Sequence, residues 1–196
     1  MQFATFALAA LSIGSVFAAP PTVVRRDAVL DAAISAVNTA QTAVASEVVI
    51  INNAVQGTLN LPVIQGSLTN IANAISSATS AVTPLVTDVA LPLTNAELSQ
   101  LSGLVTSVED IANNVKTAAN DVINNVTGLS GILVRAEAVV VINTIGPFVT
   151  PVTQFANSAI AGVTDPIVST IQSTLTTITS TVSSLLGPIL TAILGL

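Results

Sequence analysis

Residues 94–126, TNAELSQLSGLVTSVEDIANNVKTAANDVINNV, decide the fold class. Leu98, Leu101, Val105, Val108, Ala112, Val115, Ala119, Val122 and Val126 recur in alternating steps of three and four. On a helix of 3.6 residues per turn, such spacing draws one continuous apolar stripe. Leu104 and Ile111 widen it to the breadth of a bundle-core face. The stretch also carries its own start signal. In Thr94-Asn95-Ala96-Glu97 the threonine hydroxyl can accept from the Glu97 amide, while the glutamate reaches back to the Thr94 amide. Gly128 ends or kinks this helix.

The same texture extends in both directions. Between Asp27 and Gly57 the stripe is Leu30, Ile34, Val37, Val44, Val48, Ile51 and Val55, with Gln41 in its gap. Leu61, Ile64, Leu68, Ile71, Ile75, Ala78 and Val82 follow without a miss, capped by Asn60 and ended by Pro84. Residues 83–93 read as a loop. Leu129 to Ile145 reads as a helix that is oily nearly all round at Val139-Val140-Val141-Ile142, which predicts burial on every side. Gly146-Pro147 and Pro151 predict breaks, with a short helix from Thr153 to Val163. Asp165-Pro166 places a cap residue before a first-turn proline, and opens a last helix striped by Ile171, Leu175, Ile178, Val182, Leu185 and Ile189. Strand periodicity is nearly absent. The expected fold is all-α: an elongated antiparallel bundle of five or six amphipathic helices. No fixed long-range period emerges from the residues themselves.

Composition narrows the function classes. The 196 residues contain no His, Cys, Trp or Tyr, only 7% are charged, and the net charge is −6. Ser-His-Asp and Cys-His nucleophile systems are impossible, and transition metals lose their preferred ligands. No phosphate-cradling loop or calcium loop is present. Glu109 and Asp110 are adjacent, hence about 100° apart on a helix, and suit solvent better than paired acid–base work. The acidic balance argues against nucleic acid. These features predict a protein that is not an enzyme, with no metal and no cofactor.

The first 18 residues read as a secretory signal peptide, with Val16 and Ala18 at the small-residue cleavage positions. Residues 19–26 read as a short, extended pro-segment ending in the dibasic pair Arg25 and Arg26. Cleavage there leaves Lys116 and Arg135 as the only cations against ten acids. Beyond it the expected division is a bundle domain over 27–145 and an apolar, Ser/Thr-rich helical segment over 146–196. The expected location is extracellular or in a cell wall. Asn125-Val126-Thr127 is an N-glycosylation sequon. Beyond Glu137, Asp165 is the only charged side chain, so the outer helix faces are Ser, Thr, Asn, Ala and Gly. The terminal stretch from Leu185 to Leu196 reads either as an ordinary amphipathic helix or as a lipid-anchor signal. Phe148 and Phe155 suit the core, or the mouth of an apolar cavity.

A leader, a pro-segment ending Arg25-Arg26-Asp27-Ala28, and a Ser/Ala/Val/Thr-rich amphipathic helix together resemble the fungal hydrophobic surface-binding protein A family, which includes cell-wall galactomannoproteins. The likeness covers Asp27 to about Ile145, and residues 93–126 look like that family's middle helices. The resemblance implies an all-α bundle that adsorbs to apolar surfaces or captures fatty-acyl lipids. Two sets of residues are the candidate contacts. One is the stripe Ile171, Leu175, Ile178, Val182, Leu185 and Ile189. The other is a cavity lined by Leu98, Leu101, Val105, Val108 and Ile142. The alternative is a glycosylated structural wall protein or antigen, joined to wall polysaccharide through its glycans.

Overall fold

The computed structural model describes the backbone of residues 21–126, 128 and 131–194, and the side chains of 28–126, 128 and 131–185. The helices are α1 (Pro21–Gln56), α2 (Leu61–Val82), the single turn α3 (Leu85–Asp88), α4 (Asn95–Asn125), α5 (Gly131–Ile160) and α6 (Ile167–Leu194). No strand occurs among the described residues. The protein is an all-α helical bundle.

Each start follows from its residues. Asn60 accepts from the Val63 amide at 3.3 Å to begin α2. Thr94 and Glu97 form the reciprocal box that begins α4. The Asp165 carboxylate accepts from the Ile167 amide at 2.9 Å to begin α6. Between helices, Gly128 and Gly162 take φ of +79° and +75°, values that cost a residue with a Cβ. The leader residues 1–18 lie outside the described residues. The helical backbone already starts at Pro21, so residues 21–24 are not the extended segment expected before the dibasic pair.

Two predicted breaks do not occur. α5 runs unbroken through Pro147 and Pro151, and the expected short helix is its last part. The expected boundary between residues 145 and 146 falls inside this helix. Pro147 is exposed and Pro151 half-buried, so the carbonyls deprived of an amide donor lie toward the outer side. Threonine hydroxyls reinforce the segment: Thr150 donates to the Gly146 carbonyl at 2.8 Å and Thr153 to that of Val149 at 2.9 Å. The apolar run in α5 is also not buried all round. Val141 and Ile142 are buried, while Val140 is half exposed.

The helices α1, α2, α5 and α4 pack in a ring, each against two neighbours, and α6 lies against α4 and α5. α3 touches α1 and α5 and plugs one end of the core with Leu85 and, just beyond it, Val89. Four side-chain hydrogen bonds join α1 to α4: Gln100–Asp31, Ser107–Asn38, Gln41–Asp110 and Asn52–Asp121. The partners lie 69 positions apart in all four, so these two helices run side by side in the same direction. One further bond, from the Thr181 hydroxyl to the Asn113 side-chain oxygen at 3.3 Å, ties α6 to α4.

A concealed repetition follows. The buried positions Leu30, Ala33, Val37, Ala40, Val44, Val48 and Ile51 of α1 correspond, at one constant shift, to Leu101, Leu104, Val108, Ile111, Val115, Ala119 and Val122 of α4. Ile64, Leu68, Ile71, Ile75, Ala78 and Val82 of α2 correspond likewise to Val134, Ala138, Val141, Ile145, Phe148 and Val152 of α5. The bundle is therefore two like-oriented helical hairpins side by side, with α6 standing where a third would begin.

Candidate functional site

Most of the predicted contact residues are brought together in the core. Leu98, Leu101, Val105 and Val108 on α4 and Ile142 on α5 are all buried within one apolar cluster, 0 to 5% exposed. Phe148 and Phe155 are core residues as well, at 0 and 3%. On α6, Ile171, Leu175, Ile178 and Leu185 are buried and Val182 is half-buried, so the stripe faces the ring and not the solvent. The Ile189 side chain lies outside the described residues.

The grooves that the structure does show are open and lie elsewhere. One of about 700 Å³ runs between α5 and α6 and is lined by Thr153, Asn157, Gln172, Leu175, Thr176, Thr179, Ser180 and Ser183. A neighbouring groove of about 260 Å³ reaches Val149 and Val182. Of the predicted contacts, Leu175 and Val182 alone border these two grooves. A third, of about 310 Å³, lies between α1 and α2 over Ala36, Ala40, Ala43, Ala74 and Ala78.

The surface chemistry is set by hydroxyls turned back on their own helices. Among the described residues, eighteen serine and threonine hydroxyls donate to the carbonyl four residues earlier, at 2.8 to 3.3 Å. On α6 these are Thr174, Thr176, Thr177, Thr179 and Ser183. A hydroxyl so engaged has its hydrogen committed to a backbone carbonyl and offers water only acceptor positions. The polar faces thus present few free hydroxyl donors and little charge.

A second feature was not among the sequence-predicted contacts. Among the described residues, six of the nine exposed large apolar side chains are Val49, Ile50, Leu59, Val63, Ile132 and Leu133. They sit toward the end of α1, in the α1–α2 connection, and in the first turns of α2 and α5. Chain direction puts all of these at the same end of the bundle. The signal was present in Val48-Val49-Ile50-Ile51. A helix stripe can bury only part of four consecutive apolar residues, and here it takes Val48 and Ile51.

Asn125 is exposed at the end of α4, its side-chain amide donating to the Asp121 carbonyl at 2.8 Å. Arg25 and Arg26 lie on the helical backbone of α1, and their side chains fall outside the described residues. Asp110 accepts from Gln41 at 2.7 Å and so serves the α1–α4 seam. No group of three or more acidic side chains placed to hold a metal ion occurs among the described residues. Two helices, Ala28–Gln56 within α1 and Gly131–Ile160, are long and apolar enough to cross a membrane by length and composition. Both are also packed members of the ring. No protein-family model, curated protein or solved structure matches the chain.

Proposed function

We propose that this is a secreted, non-catalytic protein that binds apolar surfaces or fatty-acyl lipid layers. The observation that carries the reading is the set of exposed apolar side chains gathered at one end of the bundle, bordered by helix faces whose hydroxyls are back-bonded. Removing a hydroxyl from water costs least when its proton is already satisfied within the protein. An apolar surface can therefore approach these faces with little loss of hydration, and each Å² of apolar area it covers contributes about 25 cal/mol. A net charge of −6 works against adsorption to anionic lipid, which selects for uncharged surfaces.

Surface coverage is favoured over a lipid enclosed in a tunnel. The residues expected to line such a tunnel are packed at 0 to 5% exposure, so an acyl chain there would displace core contacts. The glycosylated wall reading is the second, supported by the exposed Asn125 at a helix end.

Depletion from solution separates the two. Unglycosylated protein should be removed by octadecyl-coated silica and left behind by bare silica. Protein that stays in solution over both, and that carries heavy glycan when secreted, turns the account to the wall reading.

A further inference from the structure

We infer that the bundle stands on an uncharged alkyl surface by one end, the end carrying Val49, Ile50, Val63, Ile132 and Leu133. This rests on the surface-binding reading and adds to it an orientation. α1 and α4 finish at this end, and α2 and α5 begin there. The two described cations, Lys116 and Arg135, lie in the same half, beside Glu47, Asp121 and Glu137. The opposite end gathers Asp31, Asp88, Glu97 and Asp165 with no cation among the described side chains; Arg25 and Arg26 enter α1 at that end until the expected processing removes them, and Glu109 and Asp110 lie midway along α4.

Apolar exposure and charge are thus separated along the bundle axis. One end is apolar and nearly balanced in charge, the other distinctly acidic. An uncharged alkyl layer gains by covering the first and leaves the second in water. An anionic layer repels the chain as a whole, and a cationic one attracts the acidic end instead. The pairing of apolar end with alkyl surface is therefore the orientation the charge distribution selects. It also needs no helix to lift from the core, whereas contact through the α6 stripe needs Ile171 and Ile178 to leave it.

The chain has no cysteine of its own, so one dye can be placed at one site. Leu133→Cys, Val86→Cys and Thr176→Cys each replace an exposed side chain, at the apolar end, the acidic end and the outer face of α6. Each would carry an environment-sensitive nitrobenzoxadiazole dye and be bound to octadecyl-coated silica. The expected result is a blue shift and brightening at position 133, with positions 86 and 176 unchanged. Equal shifts at 133 and 86, or a shift at 176, overturn end-on contact while leaving surface binding intact. Absence of protein on the beads overturns both. The combined variant Val49→Ser, Val63→Ser, Ile132→Ser and Leu133→Ser should weaken binding by at least about tenfold, with the helical circular dichroism unchanged. Undiminished binding by that variant counts equally against the assignment.

Discussion

Thr94 and Glu97 hold each other at the start of α4. The Thr94 amide and hydroxyl donate to one carboxylate oxygen at 2.6 and 2.7 Å, and the Glu97 amide donates back to the threonine hydroxyl at 3.3 Å. Glu97 is 6% exposed while Thr94 stays exposed, so the box sits at the edge of the core. α4 packs against α1, α5 and α6.

Loss of that cap should be felt globally. Thr94→Ala should lower the unfolding free energy by about 1 kcal/mol. Urea denaturation followed by circular dichroism checks it. A midpoint equal to that of the parent protein would show that the cap is redundant.

Two glycines should respond oppositely to the same added methyl. Gly103 lies on the exposed face of α4 with nothing within 4 Å of the position a Cβ would take. Gly103→Ala should stabilise by roughly 0.5–1 kcal/mol through helix propensity. At Gly131 the Cβ would stand 2.8 Å from Val126 Cγ1 and 3.0 Å from the Val126 carbonyl oxygen. Gly131→Ala should destabilise by about 1–3 kcal/mol, because backbone must move. Thermal melts of the two variants on opposite sides of the parent are the expected pattern.

The prolines of α5 are tolerated rather than required. Pro147→Ala restores an amide donor in mid-helix and improves propensity, against a less restricted unfolded chain. The net expectation is a rise of about 1 kcal/mol in stability. A fall in the melting temperature would mean that Pro147 shapes α5 in a way the neighbouring helices depend on.

Much of this architecture is legible in the residues. The stripes of α2, from Ile64 on, and of α4 are buried as their spacing predicts, because strict three–four alternation leaves a helix one face to bury. α1 is less legible. Its core line uses Ala33 and Ala40 where Ile34 and Gln41 lie on the expected line, and those two are only half-buried. Small side chains carry little hydropathy signal, yet they suit a helix packed between two neighbours. The prolines misled for a related reason: local chain chemistry marks a break, and tertiary packing with threonine back-bonds overrides it. The hairpin repetition is hidden because position is shared and identity is not. Ala33 answers to Leu104, Ala40 to Ile111 and Ala78 to Phe148, so volume moves from one hairpin to the other. Of the apolar end only the run Val48-Val49-Ile50-Ile51 is visible, for a geometric reason: Val49, Val63 and Leu133 come to one end of the bundle only by the order in which helices start and stop.

Processing at Arg25-Arg26 should depend on local unwinding. Proteases bind substrates as extended strands, and these two residues lie on a helical backbone. A protease selective for paired basic residues should therefore cut the chain faster in mild denaturant, up to the point where the protease itself fails. N-terminal sequencing of the product should begin at Asp27. A rate that does not change as α1 frays would contradict a helical barrier at this site.

The claim on which the rest depends is that apolar contact, not charge, holds the protein to a surface. The decisive measurement is a binding isotherm on octadecyl-coated silica in low salt and in about 1 M sodium chloride, where the screening length shrinks to about 3 Å. The account predicts binding that is unchanged or tighter in high salt. Release of the protein by salt, or no binding in either condition, would contradict it.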